Sequence, residues 1–366
     1  MDPRIDAMAK VLARYSVKIK EGEQVFLSGE VDTLPLMRAL FKEVVDLGAH
    51  PQTMITDQTL REILLKRGSE AQLLHEPPIM RLAAERADIF ISLWGESNTK
   101  ALSNVDVTNI GARVKSSAAI MEIFNEREKN GKLRWCGTQF PTNASAQDAA
   151  MSLAEYEDFV YGACLLEQPD PVAAWQRVAA EQEGICTMLD GKKEMRVVSE
   201  GTDLTLRVEG RRWINCCGLQ NFPDGEVFTS PLEDSAQGRI RFSFPGISFG
   251  REVEDIRLVF EKGRVVEASA SKGEDILRQI LTVDDGASRV GEIGIGTNYG
   301  IKKFTRNMLF DEKIGGTVHL AIGRSLPEAL GVNGSSIHWD MLCDMREGGR
   351  IYTDGELIYQ NGRFLG

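Results

Sequence analysis

The sequence predicts an α/β protein of two domains: a doubly wound α/β domain over residues 1–191 and a β-rich α+β domain over 192–366. Two observations carry this reading. Up to about residue 140, short apolar strands alternate with amphipathic helices, the pattern of a parallel sheet covered on both faces. After Gly191 a period-two alternation takes over, punctuated by turn dipeptides, which is the pattern of antiparallel sheet. A chain of 366 residues has room for both.

Asp2-Pro3 reads as an N-cap followed by proline at the first helical position, opening a helix to about Tyr15. Four strands are predicted next, EQVFLSGE from Glu23, HPQTMITD from His50, ADIFISLWG from Ala87 and LRWCGTQFP from Leu133. Helical patterns separate them: TLPLMRALFKEVVDLG, QTLREILLKRG, PPIMRLAAERA and a long stretch ending near Lys132. Ser152 and Glu155 form a capping box ahead of EYEDFVYGACLL, and Asp170-Pro171 opens a helix through VAAWQRVAAEQEGICTML. In the second domain MRVVSE, DLTLRVEG, RIRFSF, DIRLVFE and RVVEASA read as strands, with turns at Glu261-Lys262-Gly263, Asp354-Gly355 and Asn361-Gly362. One helix, GEDILRQILTV, interrupts them.

Net charge narrows the partners. At −11 the chain lacks the basic surface that nucleic acid or an anionic membrane requires. No apolar run approaches the roughly 20 residues of a transmembrane helix, and the charged N-terminus lacks the apolar core of a signal peptide. The six cysteines are scattered without CxxC spacing and read as buried free thiols. The expectation is a cytoplasmic protein.

Among chemical motifs, HExxH and the phosphate-binding GxxxxGK[ST] are absent. Gly246 to Gly250 fits GxSxG, but a nucleophile elbow needs a helix after the serine, and here a strand pattern follows. Histidine and carboxylate carry more. Two of only four histidines, His319 and His338, lie in β-like runs, and Asp340 follows the second by two residues. Strand side chains alternate faces, so His338 and Asp340 point the same way, a good geometry for two ligands on one ion. His319 in TVHLAI and Glu292 at the start of EIGIG are polar groups in apolar strands and need partners. Glu226, like Glu292, follows a glycine in β-rich sequence. Imidazole with carboxylate suits Zn²⁺, Co²⁺ or Mn²⁺, and two histidines with one carboxylate also suit iron(II).

Five motifs in one order, NFPDGEVFTSP (221–231), GEIGIGTN (291–298), LFDE (309–312), GTVHLAIG (316–323) and SIHWD (336–340), resemble those of the thermophilic aminopeptidase family, the group of aminopeptidase T, AmpS and PepS. The resemblance covers essentially the whole chain, and PTNASAQDAAMSLAEYEDFVYGA (141–163) is similar to the family's segment before its second domain. It implies a two-metal site held by Glu226, Glu292, His319, His338 and Asp340, with Glu292 shared between the ions. Glu312 is a further candidate ligand, although its spacing to His319 is longer than in some relatives. One departure stands out: relatives carry a tyrosine shortly after the first histidine, where this chain reads Gly323-Arg324-Ser325-Leu326-Pro327. That removes a phenol able to stabilise an oxyanion, leaving Tyr299 or Arg324 as stand-ins.

What the resemblance implies is a metallo-aminopeptidase acting on short peptides, a homodimer, with two divalent ions activating water and Glu292 or Glu226 moving the proton. The first domain would wall the cleft. A mononuclear iron(II) ring-cleaving dioxygenase and a non-catalytic binding relative are the competing readings.

Overall fold

The computed structural model describes residues 2–248 and 251–365. Helix α1 (Pro3–Val11) starts as the sequence predicts, the Asp2 carboxylate accepting from the Arg4 backbone N–H, and runs into a π turn, Leu12–Ser16. Strands β1 (Gln24–Glu30), β2 (His50–Thr56), β3 (Ile89–Trp94) and β4 (Arg134–Gln139) form a wholly parallel sheet. They alternate with α2 (Leu34–Asp46), α3 (Gln58–Arg67), α4 (Glu70–Leu73), α5 (Pro78–Arg86), α6 (Val107–Lys115) and α7 (Ala118–Lys129). The helical stretch ending near Lys132 is therefore two helices. The break falls at Ser116-Ser117, where the Ser116 hydroxyl donates to the Arg113 carbonyl and competes with the helical ladder. Helices α8 (Asn143–Asp148), α9 (Leu153–Ala163) and α10 (Pro171–Leu189) follow. Both halves of the Ser152/Glu155 capping box are formed at α9. Ser152→Ala should lower stability by about 1 kcal/mol, read from thermal unfolding.

The strand-rich part contains β5 (Glu194–Ser199), β6 (Thr202–Arg207), β7 (Ile214–Cys216), β8 (Asn221–Phe222), β9 (Glu226–Thr229), β10 (Gln237–Arg241), β11 (Gly246–Ser248), β12 (Arg251–Val253), β13 (Arg257–Glu261) and β14 (Arg264–Ser269). Helix α11 (Glu274–Ile280) precedes β15 (Val290–Gly296), α12 (Met308–Asp311), β16 (Thr317–Gly323), β17 (His338–Asp344), β18 (Arg350–Thr353), β19 (Glu356–Gln360) and β20 (Arg363–Phe364). The three turn dipeptides, Lys262-Gly263, Asp354-Gly355 and Asn361-Gly362, each close a two-residue hairpin with positive φ at both positions. Phe249 and Gly250 of the GxSxG stretch lie outside the described residues. The strands on either side of them, β11 and β12, pair antiparallel, so the next described element after the serine is a strand and not a helix.

The chain divides into two compact units, one reaching to Trp175 and including Gly218–Pro223, the other comprising Gln176–Cys217 and the chain from Asp224 onward. Within the first, β8 adds a fifth parallel strand beside β4. The second unit begins inside α10, ahead of residue 192, because the Gln182 amide donates to the backbone carbonyls of Cys216 and Glu226 and so binds the helix to β7 and β9. This unit has an eight-stranded sheet, β14-β13-β10-β6-β5-β18-β19-β20, and a five-stranded antiparallel sheet, β17-β16-β15-β9-β7. Side chains of both fill one core: Met195, Leu204, Ile240 and Phe260 from the larger, Val227, Ile293, Ile295, Val318, Leu320 and Met341 from the smaller. Among the described residues, no helix is long and apolar enough to cross a membrane.

Candidate metal centre

The five-stranded sheet turns one face to this core, and alternation sends the intervening residues to the other. With Val227, Ile293, Leu320 and Met341 inward, Glu226, Glu292, His319 and Asp340 face outward together. Parity on β15 depends on an irregularity between Val290 and Glu292. Gly291 is the extra residue there, so Val290 stays in the core while Glu292 turns to the opposite face. A Cβ on Gly291 would lie 2.4 Å from the Arg324 carbonyl oxygen. The register then sets Glu292 beside Ala321 and Ala321 beside Asp340, a row across three strands.

Room for the imidazole comes from a glycine. His319 is paired with Gly294, and a Cβ at Gly294 would lie 2.1 Å from His319 Nε2. The ring thus lies across the neighbouring strand. Its Nδ1–H donates to the Glu312 carbonyl at 3.1 Å, which turns Nε2 towards the carboxylates. His338 is held the same way, Nδ1–H donating to the Arg324 carbonyl at 2.7 Å.

The distances join the five predicted residues into two sets. Nε2 of His319 is 3.2 Å from Glu226 Oε2 and 3.2 Å from Glu292 Oε1. Nε2 of His338 is 3.2 Å from Glu292 Oε2 and 3.4 Å from Asp340 Oδ2. The sets Glu226–Glu292–His319 and Glu292–His338–Asp340 each bring their donor atoms within 4.8 Å of one another, and they share Glu292, one oxygen to each. Glu312 is close by but in neither set. Its carboxylate accepts from Lys313, a fully buried lysine whose Nζ is also 3.4 Å from Glu226 Oε1.

Electrostatics show what such a cluster requires. Burial alone disfavours a charged imidazole, yet Glu226 and Glu292 outweigh it and raise the His319 pKa to about 10. Burial is likewise outweighed at His338, by Asp340 and Glu292, and its pKa rises to about 11. Burial lifts Glu226 to about 8 against the pull of Lys313, and lifts Glu312 as well. Asp340 is held below the usual carboxylate range, its burial offset by His338. The carboxylates therefore draw protons onto both imidazoles. Glu226 Oε2 and Asp340 Oδ1 are also buried without a hydrogen-bond partner among the described residues. Divalent cations would satisfy both needs, since imidazole nitrogens and carboxylate oxygens are their ordinary ligands. The donor set fits a metal.

Of the two candidate stand-ins for the absent tyrosine, Tyr299 is engaged elsewhere and, among the described residues, the Arg324 side chain is not. The Tyr299 hydroxyl donates to the Gly362 carbonyl at 3.0 Å, and the Arg363 guanidinium lies 4.2 Å from its ring centroid. Arg324 offers its carbonyl to His338 while its side chain is exposed. Leu326 is half-buried, its N–H donating to Ser230 Oγ at 3.0 Å. Sequence reasoning passed over Lys313, Gly294 and Gln182. Gly294 had a legible signal, because in EIGIG it shares a face with Glu292. Lys313 and Gln182 had none, since lysine and glutamine are ordinarily solvated.

Comparison with known proteins identifies the family. The thermophilic metalloprotease (M29) family matches residues 1–364. Aminopeptidase 2 of Geobacillus stearothermophilus is 26% identical over 409 aligned positions, covering 99% of this chain and 98% of its own. Aminopeptidase T of Thermus thermophilus is 26% identical, covering 98% of this chain and 95% of its own. The solved structure of wild-type AmpT from Thermus thermophilus shares the fold, with a TM-score of 0.86 over 100% of this chain and 99% of that one at 23% identity. On a match that runs almost from end to end, the chain belongs to the thermophilic metalloprotease (M29) family.

Proposed function

We propose that this metalloprotease is an aminopeptidase that removes N-terminal residues from short peptides with two divalent ions, Zn²⁺, Co²⁺ or Mn²⁺. One ion would be held by Glu226, Glu292 and His319, the other by Glu292, His338 and Asp340. The observation that carries this is the placement of Glu292, whose two oxygens each lie 3.2 Å from a different imidazole nitrogen. A single-ion site has no use for the second set. The curated relatives bearing the name aminopeptidase support the reaction class.

Divalent ions in such a cluster acidify water and polarise a carbonyl oxygen. The protein's own part is proton handling and orientation. Either Glu292 or Glu226 would accept a proton from the attacking water and return it to the leaving amine. The two backbone-tethered imidazoles keep their Nε2 atoms on the cluster. The excess of buried carboxylate attracts a free α-ammonium group, which favours cleavage at the N-terminal residue over cleavage within a chain. A homodimer and a cytoplasmic location belong to the same proposal, the latter in keeping with six free cysteines.

The test is metal removal and restoration. Chelator treatment should abolish hydrolysis of a panel of aminoacyl-p-nitroanilides, and Zn²⁺, Co²⁺ or Mn²⁺ should restore it with two ions bound per chain. N-acetylated substrates should remain uncut. One iron per chain, with ring-cleaving activity and no hydrolysis, would replace this reading with the oxygenase one.

A further inference from the structure

Beside the two sets sharing Glu292 lies a third group of potential ligands, Cys216, Asp224 and Glu226, whose donor atoms also fall within 4.8 Å of one another. By donor type it is a metal site. A cation already lies against it through Glu226. Lys313 is 0% exposed, with Nζ 3.4 Å from Glu226 Oε1 and in contact with Glu312 Oε1. Asp224 acts on it as a further negative charge.

The placement is built in by the backbone on both sides. The Lys313 N–H donates to the Phe310 carbonyl, and its own carbonyl accepts from the Asn298 N–H at 3.0 Å. The Asn298 side chain in turn donates to the Asp224 carbonyl, which ties the lysine to the loop that carries the third group. Gly296 on β15 leaves the space for this segment, because a Cβ there would lie 2.2 Å from the Ile314 carbonyl oxygen. An ammonium so placed offers three donors in a fixed position and cannot reach water.

We propose that Lys313 is a tethered cation filling the third ligand group, so that the centre is laid out for three cations and the chain itself provides one. By holding Glu226 Oε1 it also leaves Oε2, the oxygen without a hydrogen-bond partner, directed at His319, which makes Lys313 a positioning residue. The charge role stands independently of the two-ion reading; the positioning role and the count of three cations rest on it.

The experiment compares the native chain with Lys313→Ala and with Lys313→Ala combined with Glu226→Gln, all stripped of metal. Lys313→Ala leaves buried carboxylates uncompensated, so its unfolding midpoint should fall by on the order of 10 °C. Removing the Glu226 charge as well should recover a substantial part of that loss. On Co²⁺ addition, Lys313→Ala should bind one more ion per chain than the native protein. It should also show a near-ultraviolet thiolate-to-cobalt absorption, because Cys216 belongs to the third group alone. An unchanged midpoint in Lys313→Ala, or a double variant no more stable than the single one, would overturn the charge role. Equal Co²⁺ uptake without the thiolate band would overturn the third-site assignment. If stripped Lys313→Ala does not accumulate folded, rescue by Co²⁺ or by Glu226→Gln supports the proposal, and failure of both overturns it. Absence of Co²⁺ binding to the native chain would defeat the two-ion reading, the positioning role and the count of three cations, while the stripped midpoints still decide the charge role.

Discussion

Glu292→Gln should abolish peptide hydrolysis while leaving the fold unchanged. The carboxylate has one oxygen 3.2 Å from Nε2 of His319 and the other 3.2 Å from Nε2 of His338. A glutamine keeps the volume but presents an amide NH₂ to one of these sets, a donor where a ligand is needed. One set therefore loses a ligand whichever way the amide turns, and the site loses a group able to accept a proton. The fall in kcat/KM should be about 10³-fold or more. Aminoacyl-p-nitroanilide hydrolysis measures it, with circular dichroism to confirm that the strands persist and metal analysis to count bound ions. Activity within tenfold of the native enzyme would sink the assignment of Glu292 as the shared carboxylate.

Gly294→Ala tests the same site through shape alone. Gly294 is absent from the positive-φ residues, so alanine costs nothing in backbone conformation. The added methyl would lie 2.1 Å from Nε2 and 2.2 Å from Cε1 of His319, a ring fully buried and tied to the Glu312 carbonyl. The ring must tilt or the strands must part. We expect a loss of about 1–3 kcal/mol in stability together with loss of metal binding and hydrolysis. Thermal unfolding and metal titration on the purified variant give both numbers. A variant that binds metal as the native chain does would show that His319 is not held where its ring now lies.

The parallel sheet was legible because four apolar strands alternate with amphipathic helices, each long enough to show its period. The strand β8 was not, since two residues have no period. The break between α6 and α7 escaped because serine is a tolerable helix residue, and only its hydroxyl bonding to Arg113 ends the ladder. At the site, the common face of His338 and Asp340 followed from alternation alone. That Glu292 joins them could not be derived from period two, because Val290 and Glu292 would then share a face. The irregularity at Gly291 changes the parity, and a lone glycine does not announce a bulge. Motif resemblance supplied Glu226, Glu292 and His319 as a set. The engagement of Glu312 by Lys313 had no sequence signal, because an ion pair between adjacent residues looks like ordinary surface charge.

Both imidazoles are aimed by main-chain carbonyls, those of Glu312 and Arg324. A carbonyl is the same acceptor whatever side chain its residue carries. Substitution at either position can thus alter local charge or bulk without retuning the tautomer of the ligand, provided the loop keeps its path. This makes the aim of the two histidines robust to mutation, in contrast to centres whose histidines are oriented by a partner carboxylate. Side chains around such a centre can change while the ring nitrogens aimed at the carboxylates hold their direction.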